Sequence, residues 1–253
     1  WYGLIITFSV GMGWWIARKY APDAGITEEE VDRIALLAII CGVIGTRALH
    51  VAEEWAEFYS KDPWLAPQIW RGGGSVWGSI IGGMAGGVGM AIYYRLPKVP
   101  LLDVGAMGLI TGQLLGRLAN VVNGEHTKLA TDLPWGFLYT NPNTLAVRDI
   151  TGRTFPAHPS PVYEMVLSLI ILLLLVWMVR RWGGSGIVAV SYLFLYSAGR
   201  FGLTFMRVDD YYGPFTQAQW ISVIIGVPTA LMLVLYAVGR LSVNVPSAIP
   251  NIG

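Results

Sequence analysis

Among its 253 residues the chain has one cysteine, three histidines and few charges, with 17 basic and 16 acidic side chains making up 13% of the total. Each scarcity excludes something. Cys41 alone cannot close an intrachain disulfide, and no Cys/His cluster suggests a metal. A net charge of +1 gives no electrostatic basis for binding nucleic acid. Soluble domains carry about 25% charged residues, so charge this sparse argues against a soluble chain. Nucleophile-elbow, P-loop and zinc motifs are missing as well. The chain needs no nucleophile of its own if a substrate supplies one.

What remains is apolar. Hydrophobic residues make up 54% of the chain. Runs close to the about 20 residues that a helix needs to cross a bilayer fall at 1–17, 31–52, 73–94, 101–122, 160–179, 185–206 and 217–239. The expected fold is an all-α integral membrane protein of about seven transmembrane helices, a single transmembrane domain over residues 1–253 with a small extracytoplasmic head loop at about 123–159. The first run is short, as expected if the start at Trp1 is a truncation. Eleven Trp and twelve Tyr suit aromatic belts at the two interfaces. Arg18 and Lys19, Arg95 and Lys98, Arg180 and Arg181, and Arg240 follow the odd-numbered spans. The positive-inside rule then places the N-terminus outside and the C-terminus in the cytoplasm.

Charge inside such a chain is costly and marks functional positions. Arg117 and Asn120 share a helix face at the end of span four, and Asn123 and Glu125 follow where that helix ends. An arginine among amides suits a phosphate, because its fork of donors binds oxyanions bidentately. In span six Tyr196, Arg200, Thr204 and Arg207 fall on one stripe, and spans four and six run the same way, so Arg117 and Arg200 can meet at similar depth. Taken alone, Arg207 reads as an interfacial anchor. Gly74, Gly78, Gly82 and Gly86 recur every four residues, a spacing that permits close helix approach. The Gly72-Gly73-Gly74 triplet ahead of them offers backbone N–H groups to an anion. In His158-Pro159-Ser160-Pro161-Val162-Tyr163-Glu164, Ser160 reads as a helix N-cap. Glu164 inside the first turn needs a partner, and an arginine is the natural one.

Together these residues resemble the bacterial prolipoprotein diacylglyceryl transferase family. Its signature is approximately Gly-Arg-x-Gly/Ala-Asn-x-x-Asn-x-Glu, matched by Gly116, Arg117, Ala119, Asn120, Asn123 and Glu125. Thr131-Asp132-Leu133-Pro134-Trp135, Trp1-Tyr2-Gly3-Leu4, Gly45-Thr46-Arg47 and the His158–Glu164 stretch extend the match, as do Arg200 and Arg207. The resemblance implies a seven-span protein of the bacterial cytoplasmic (inner) membrane, acting at its outer face. It implies transfer of the diacylglyceryl group of phosphatidylglycerol to the lipobox cysteine thiol of prolipoproteins. The lipid bilayer, phosphatidylglycerol and prolipoprotein signal peptides are the partners, and no cofactor is implied. Mapped onto this chain, Arg117 and Arg200 hold the phospholipid head group. Asn120, Asn123 and Glu125 shape the pocket, with Tyr2 and Glu164 completing its polar lining and His158 and Arg207 beside them.

The chain departs from the family's usual pattern at three places. Trp77 stands where many members carry a histidine, Thr204 where a glutamate is usual, and Lys128-Leu129 where a Gly-Arg pair is expected. His126 and His158 remain as candidate bases. These departures motivate a rival reading, a non-catalytic relative serving as a structural or lipid-binding subunit of a membrane complex. An anion transporter is a weaker third, since no inverted repeat is visible.

Overall fold

The computed structural model describes residues 1–125, 129–141, 155–239 and 241. Among them seven long helices follow one another: α1 (Tyr2–Tyr20), α2 (Glu28–Glu53), α3 (Val76–Tyr93), α4 (Lys98–Asn123), α5 (Ser160–Trp182), α6 (Ile187–Thr204) and α7 (Gln217–Ala237). They coincide with the seven apolar runs to within a few residues. Among the described residues, α2, α4, α5, α6 and α7 are long and apolar enough to cross a membrane. Strand structure among them is confined to a hairpin of β1 (Tyr211–Tyr212) and β2 (Phe215–Thr216), turned at Gly213 with φ +72°. The protein is an all-α membrane protein. It divides into two compact units, Trp1–Gly25 with Val99 onward, and Ile26–Lys98.

In the first unit the core gathers Tyr20, Met107, Ile110, Leu175, Val179 and Val188 from α1, α4, α5 and α6. Glycine allows α1 to approach α4 closely, since a Cβ at Gly13 would lie 2.7 Å from the Gly108 carbonyl oxygen. Asp103, fully buried, joins α4 to α6. Its carboxylate accepts the backbone N–H groups of Gly186 at 2.9 Å and Ala189 at 2.8 Å. Those donors belong to the first turn of α6, where N–H groups have no partner within the helix. At the start of α7, Thr216 and Gln219 form a reciprocal capping box.

Between α4 and α5, residues 129–137 run beside 156–158. Thr131 N donates to Pro156, His158 N to Leu129, and Phe137 and Ala157 exchange N–H bonds at 2.9 and 3.0 Å. These bonds deliver His158 to the head of α5. Tyr139 donates its hydroxyl to the Val121 carbonyl at 2.7 Å, and burial raises its phenol above the ordinary value. The sequence reading of Ser160 as an N-cap is corrected: α5 begins at Ser160, and its hydroxyl donates instead to the Met206 carbonyl at 2.9 Å. That bond ties the start of α5 to the turn after α6.

In the second unit α2 and α3 pack antiparallel along the glycine stripe. A Cβ at Gly78 would fall 2.2 Å from the Gly45 carbonyl oxygen, one at Gly82 2.2 Å from that of Cys41, and one at Gly86 2.7 Å from that of Leu37. The stripe is a packing face. Arg47, 8% exposed, donates to the carbonyls of Leu65, Ala66, Gly72 and Gly73 and lies over the Tyr59 ring. The glycine triplet therefore offers carbonyls to an arginine, a use opposite in sign to the anion-binding one expected from the sequence. A Cβ at Gly73 would strike His50 Nε2 at 2.2 Å. Trp77 is half exposed at the start of α3.

Candidate active site

The ends of α4 and α6 and the start of α5 assemble one polar centre in the first unit. Glu164, 3% exposed, is its hub. Its Oε2 pairs with the Arg117 guanidinium and its Oε1 with that of Arg200. Arg207 reaches Oε1 as well, at 3.2 Å. Arg207 in turn pairs with Asp209 through Nε at 3.0 Å. A buried carboxylate is tolerated only when compensated, and three guanidinium groups compensate this one. Arg207, read from the sequence alone as an anchor, has a side chain only 6% exposed. α6 ends at Thr204, and successive i→i−3 bonds from Phe205, Met206 and Arg207 carry the turn on, so that Arg207 joins Arg200 at the same Glu164 oxygen.

A second group adjoins Arg117. Its Nη1 donates to Asn120 Oδ1 at 3.3 Å, Asn120 Nδ2 donates to Glu125, and Asn123 Nδ2 donates to Glu125 at 2.9 Å. The spacing of three on α4 puts Arg117 and Asn120 on one face, as expected. Glu125 folds back past the helix end, its backbone N–H on the Asn120 carbonyl at 3.0 Å. The Tyr2 hydroxyl, at the first turn of α1, lies within electrostatic reach of Glu125 and Arg117.

His158 takes a different partner. Its Nδ1 lies 3.2 Å from the Tyr163 hydroxyl, which also accepts the Trp135 indole N–H at 2.9 Å. His126 and Lys128 lie outside the described residues. Thr204 is buried and donates its hydroxyl back to the Arg200 carbonyl at 2.7 Å, leaving the Arg200 guanidinium to Glu164. Asp209, Tyr163 and Trp135 join the site without having been expected among its residues. Asp209 had a signal, a carboxylate two residues beyond an arginine, whereas Trp135 and Tyr163 are 28 apart and meet only through the fold.

Several apolar helices around a buried arginine–carboxylate centre define a polytopic membrane protein with a site suited to an oxyanion. A sequence model of the family described as prolipoprotein diacylglyceryl transferase matches residues 1–236. Relatives named phosphatidylglycerol–prolipoprotein diacylglyceryl transferase are similar over most of their length. That of Thermosynechococcus vestitus is 33% identical over 88% of this chain and 83% of its own. That of Geobacillus kaustophilus is 33% identical over 94% and 89%, and that of Clostridioides difficile 33% over 88% and 85%. This chain belongs to the prolipoprotein diacylglyceryl transferase family.

Proposed function

We propose that this protein transfers the diacylglyceryl group of phosphatidylglycerol to the lipobox cysteine thiol of prolipoproteins at the outer face of the bacterial inner membrane. The convergence of Arg117, Arg200 and Arg207 on Glu164 supports this reading most. In the reaction the cysteine sulfur attacks the glyceryl carbon that bears the phosphate ester. The C–O bond breaks, a C–S bond forms, and glycerol phosphate leaves with the electron pair. The leaving phosphate gains negative charge, and Arg117 and Arg200 stabilise it. Both guanidinium groups are already oriented by Glu164, so the phosphate finds its donors in place. Asn120, Asn123, Glu125 and Tyr2 shape the head-group pocket, and Arg207, held by Asp209, adds a third positive charge.

The thiol is only a few per cent ionised at about pH 7 and gains from a base. His158 fills that role, its ring oriented by Tyr163. The chain acts as one transmembrane domain of seven spans, a reading supported by a family match that runs through both compact units. The distribution of arginine and lysine supports an outside N-terminus and a cytoplasmic C-terminus.

The test is mass spectrometry of a lipobox peptide incubated with purified protein and phosphatidylglycerol. A diacylglyceryl mass gain is expected from the wild type. Arg117→Ala and Arg200→Ala should each lower the rate by at least about a hundredfold while remaining folded. Full activity in both variants would overturn the assignment.

A further inference from the structure

We propose that the ends of α1 and α5 remote from the arginine–glutamate centre hold the head group of an anionic phospholipid, drawn from the opposite leaflet. Tyr2 on α1 and Glu164 on α5 belong to the candidate site, and each helix then runs on to Tyr20 and Trp182. At about 1.5 Å per residue, Tyr20 and Arg180 lie roughly 25 Å along their helices from those residues. That distance is close to the hydrocarbon thickness of a bilayer, so a lipid bound there belongs to the other leaflet.

Two cations meet over one ring at this end, and a third, Arg181, follows Arg180 in the chain. Lys19 Nζ from α1 and the Arg180 guanidinium from α5 both lie over the Tyr20 ring, at 5.6 and 5.9 Å from its centroid. Arg181 lies over Trp177 at 5.1 Å, and Lys19 also approaches Trp15 at 5.3 Å. Among the described residues none of the three forms an ion pair with a carboxylate. Asp23 is nearby, since its carbonyl oxygen would lie 2.4 Å from a Cβ at Gly183, yet its carboxylate pairs with none of them.

The two helix C-termini favour these cations, but each contributes only about half a negative charge. Against three cations that leaves roughly two positive charges uncompensated. Independent snorkelling side chains would separate. Here two cations from different helices share one ring, a geometry that an intervening anion stabilises. Trp15 and Trp177 are about half exposed at the same level, and indoles at that depth pack against the glycerol region of a lipid. The occupant is accordingly a phospholipid and not a soluble anion.

The experiment is a titration of the purified full chain in detergent with tetraoleoyl cardiolipin, read by native mass spectrometry. The Lys19→Gln/Arg180→Gln/Arg181→Gln variant should bind the lipid about a hundredfold more weakly. Arg181→Gln alone leaves the Tyr20 contacts intact and should cost about fivefold. Arg117→Ala, altered only at the other end, should keep this site. Wild-type affinity in both glutamine variants would overturn the proposal. So would displacement of the cardiolipin by millimolar inorganic phosphate, which would make the site one for a soluble anion.

Discussion

At the scale of single residues, Glu164 and its three arginines carry the argument. Removing one partner of a buried ion pair costs about 3–5 kcal/mol, because the other charge is left uncompensated. Glu164→Gln leaves three guanidinium groups, each at most 20% exposed, facing one another. We expect it to lower stability by about 3 kcal/mol, measured as the midpoint of thermal unfolding in detergent at fixed scan rate. Arg200→Ala should cost less, since Arg117 and Arg207 still compensate Glu164. A larger loss for Arg200→Ala than for Glu164→Gln would contradict the hub. His158 offers a kinetic test. If its imidazole takes the thiol proton, His158→Gln lowers kcat by about a hundredfold with little change in KM for phosphatidylglycerol. An unchanged kcat would move the role elsewhere. Much of this site was legible in the sequence, because a glutamate or an arginine inside an apolar run demands a partner. The partner of Arg207 was not. Its place on the stripe with Arg200 was visible, but the carboxylate that the two share sits on α5, and no spacing within α6 marks it.

At the scale of elements, two devices set where helices lie. At Gly78, Gly82 and Gly86 the α2–α3 stripe brings the backbones so close that a Cβ would collide with an α2 carbonyl. Gly78→Ala should therefore destabilise by about 1–3 kcal/mol, the usual cost of overpacking. Gly89→Ala in the same helix meets nothing within 4 Å. It should be neutral, or stabilising by up to about 1 kcal/mol through helix propensity. Equal effects of the two variants on thermal unfolding would refute the packing account. The second device is Asp103. Arg117 stands 14 residues beyond Asp103 on α4, and Arg200 stands 14 beyond Gly186 on α6. The bond between Asp103 and Gly186 thus fixes the axial register that brings the two arginines to one carboxylate. Asp103→Ala orphans N–H groups of the first turn of α6 and should cost about 2 kcal/mol. Asp103→Asn retains one acceptor and should recover part of it. Helix positions were readable from apolar runs. The Asp103 link was not read from the sequence, because its partners are backbone groups that no sequence pattern marks.

At the scale of the whole molecule, the proposed chemistry depends on which way the chain faces. The substrate thiol is presented outside, so the arginine–glutamate centre must open there. In the proposed orientation the basic residues after α1, α3, α5 and α7 put those helix ends in the cytoplasm. The turn between α6 and α7, which follows Arg207, must then be outside. This can be checked with single cysteines on a background in which Cys41 is replaced by serine. Tyr211→Cys lies in the exposed hairpin before α7, and Val238→Cys is exposed just past its end. An impermeant maleimide added to intact spheroplasts should label the first and leave the second untouched until the membrane is opened. The reversed pattern would turn the site toward the cytoplasm, away from any translocated signal peptide, and the proposed reaction would lose its substrate. Labelling of both in intact cells would mean that α7 does not cross the bilayer, despite 21 residues of apolar helix.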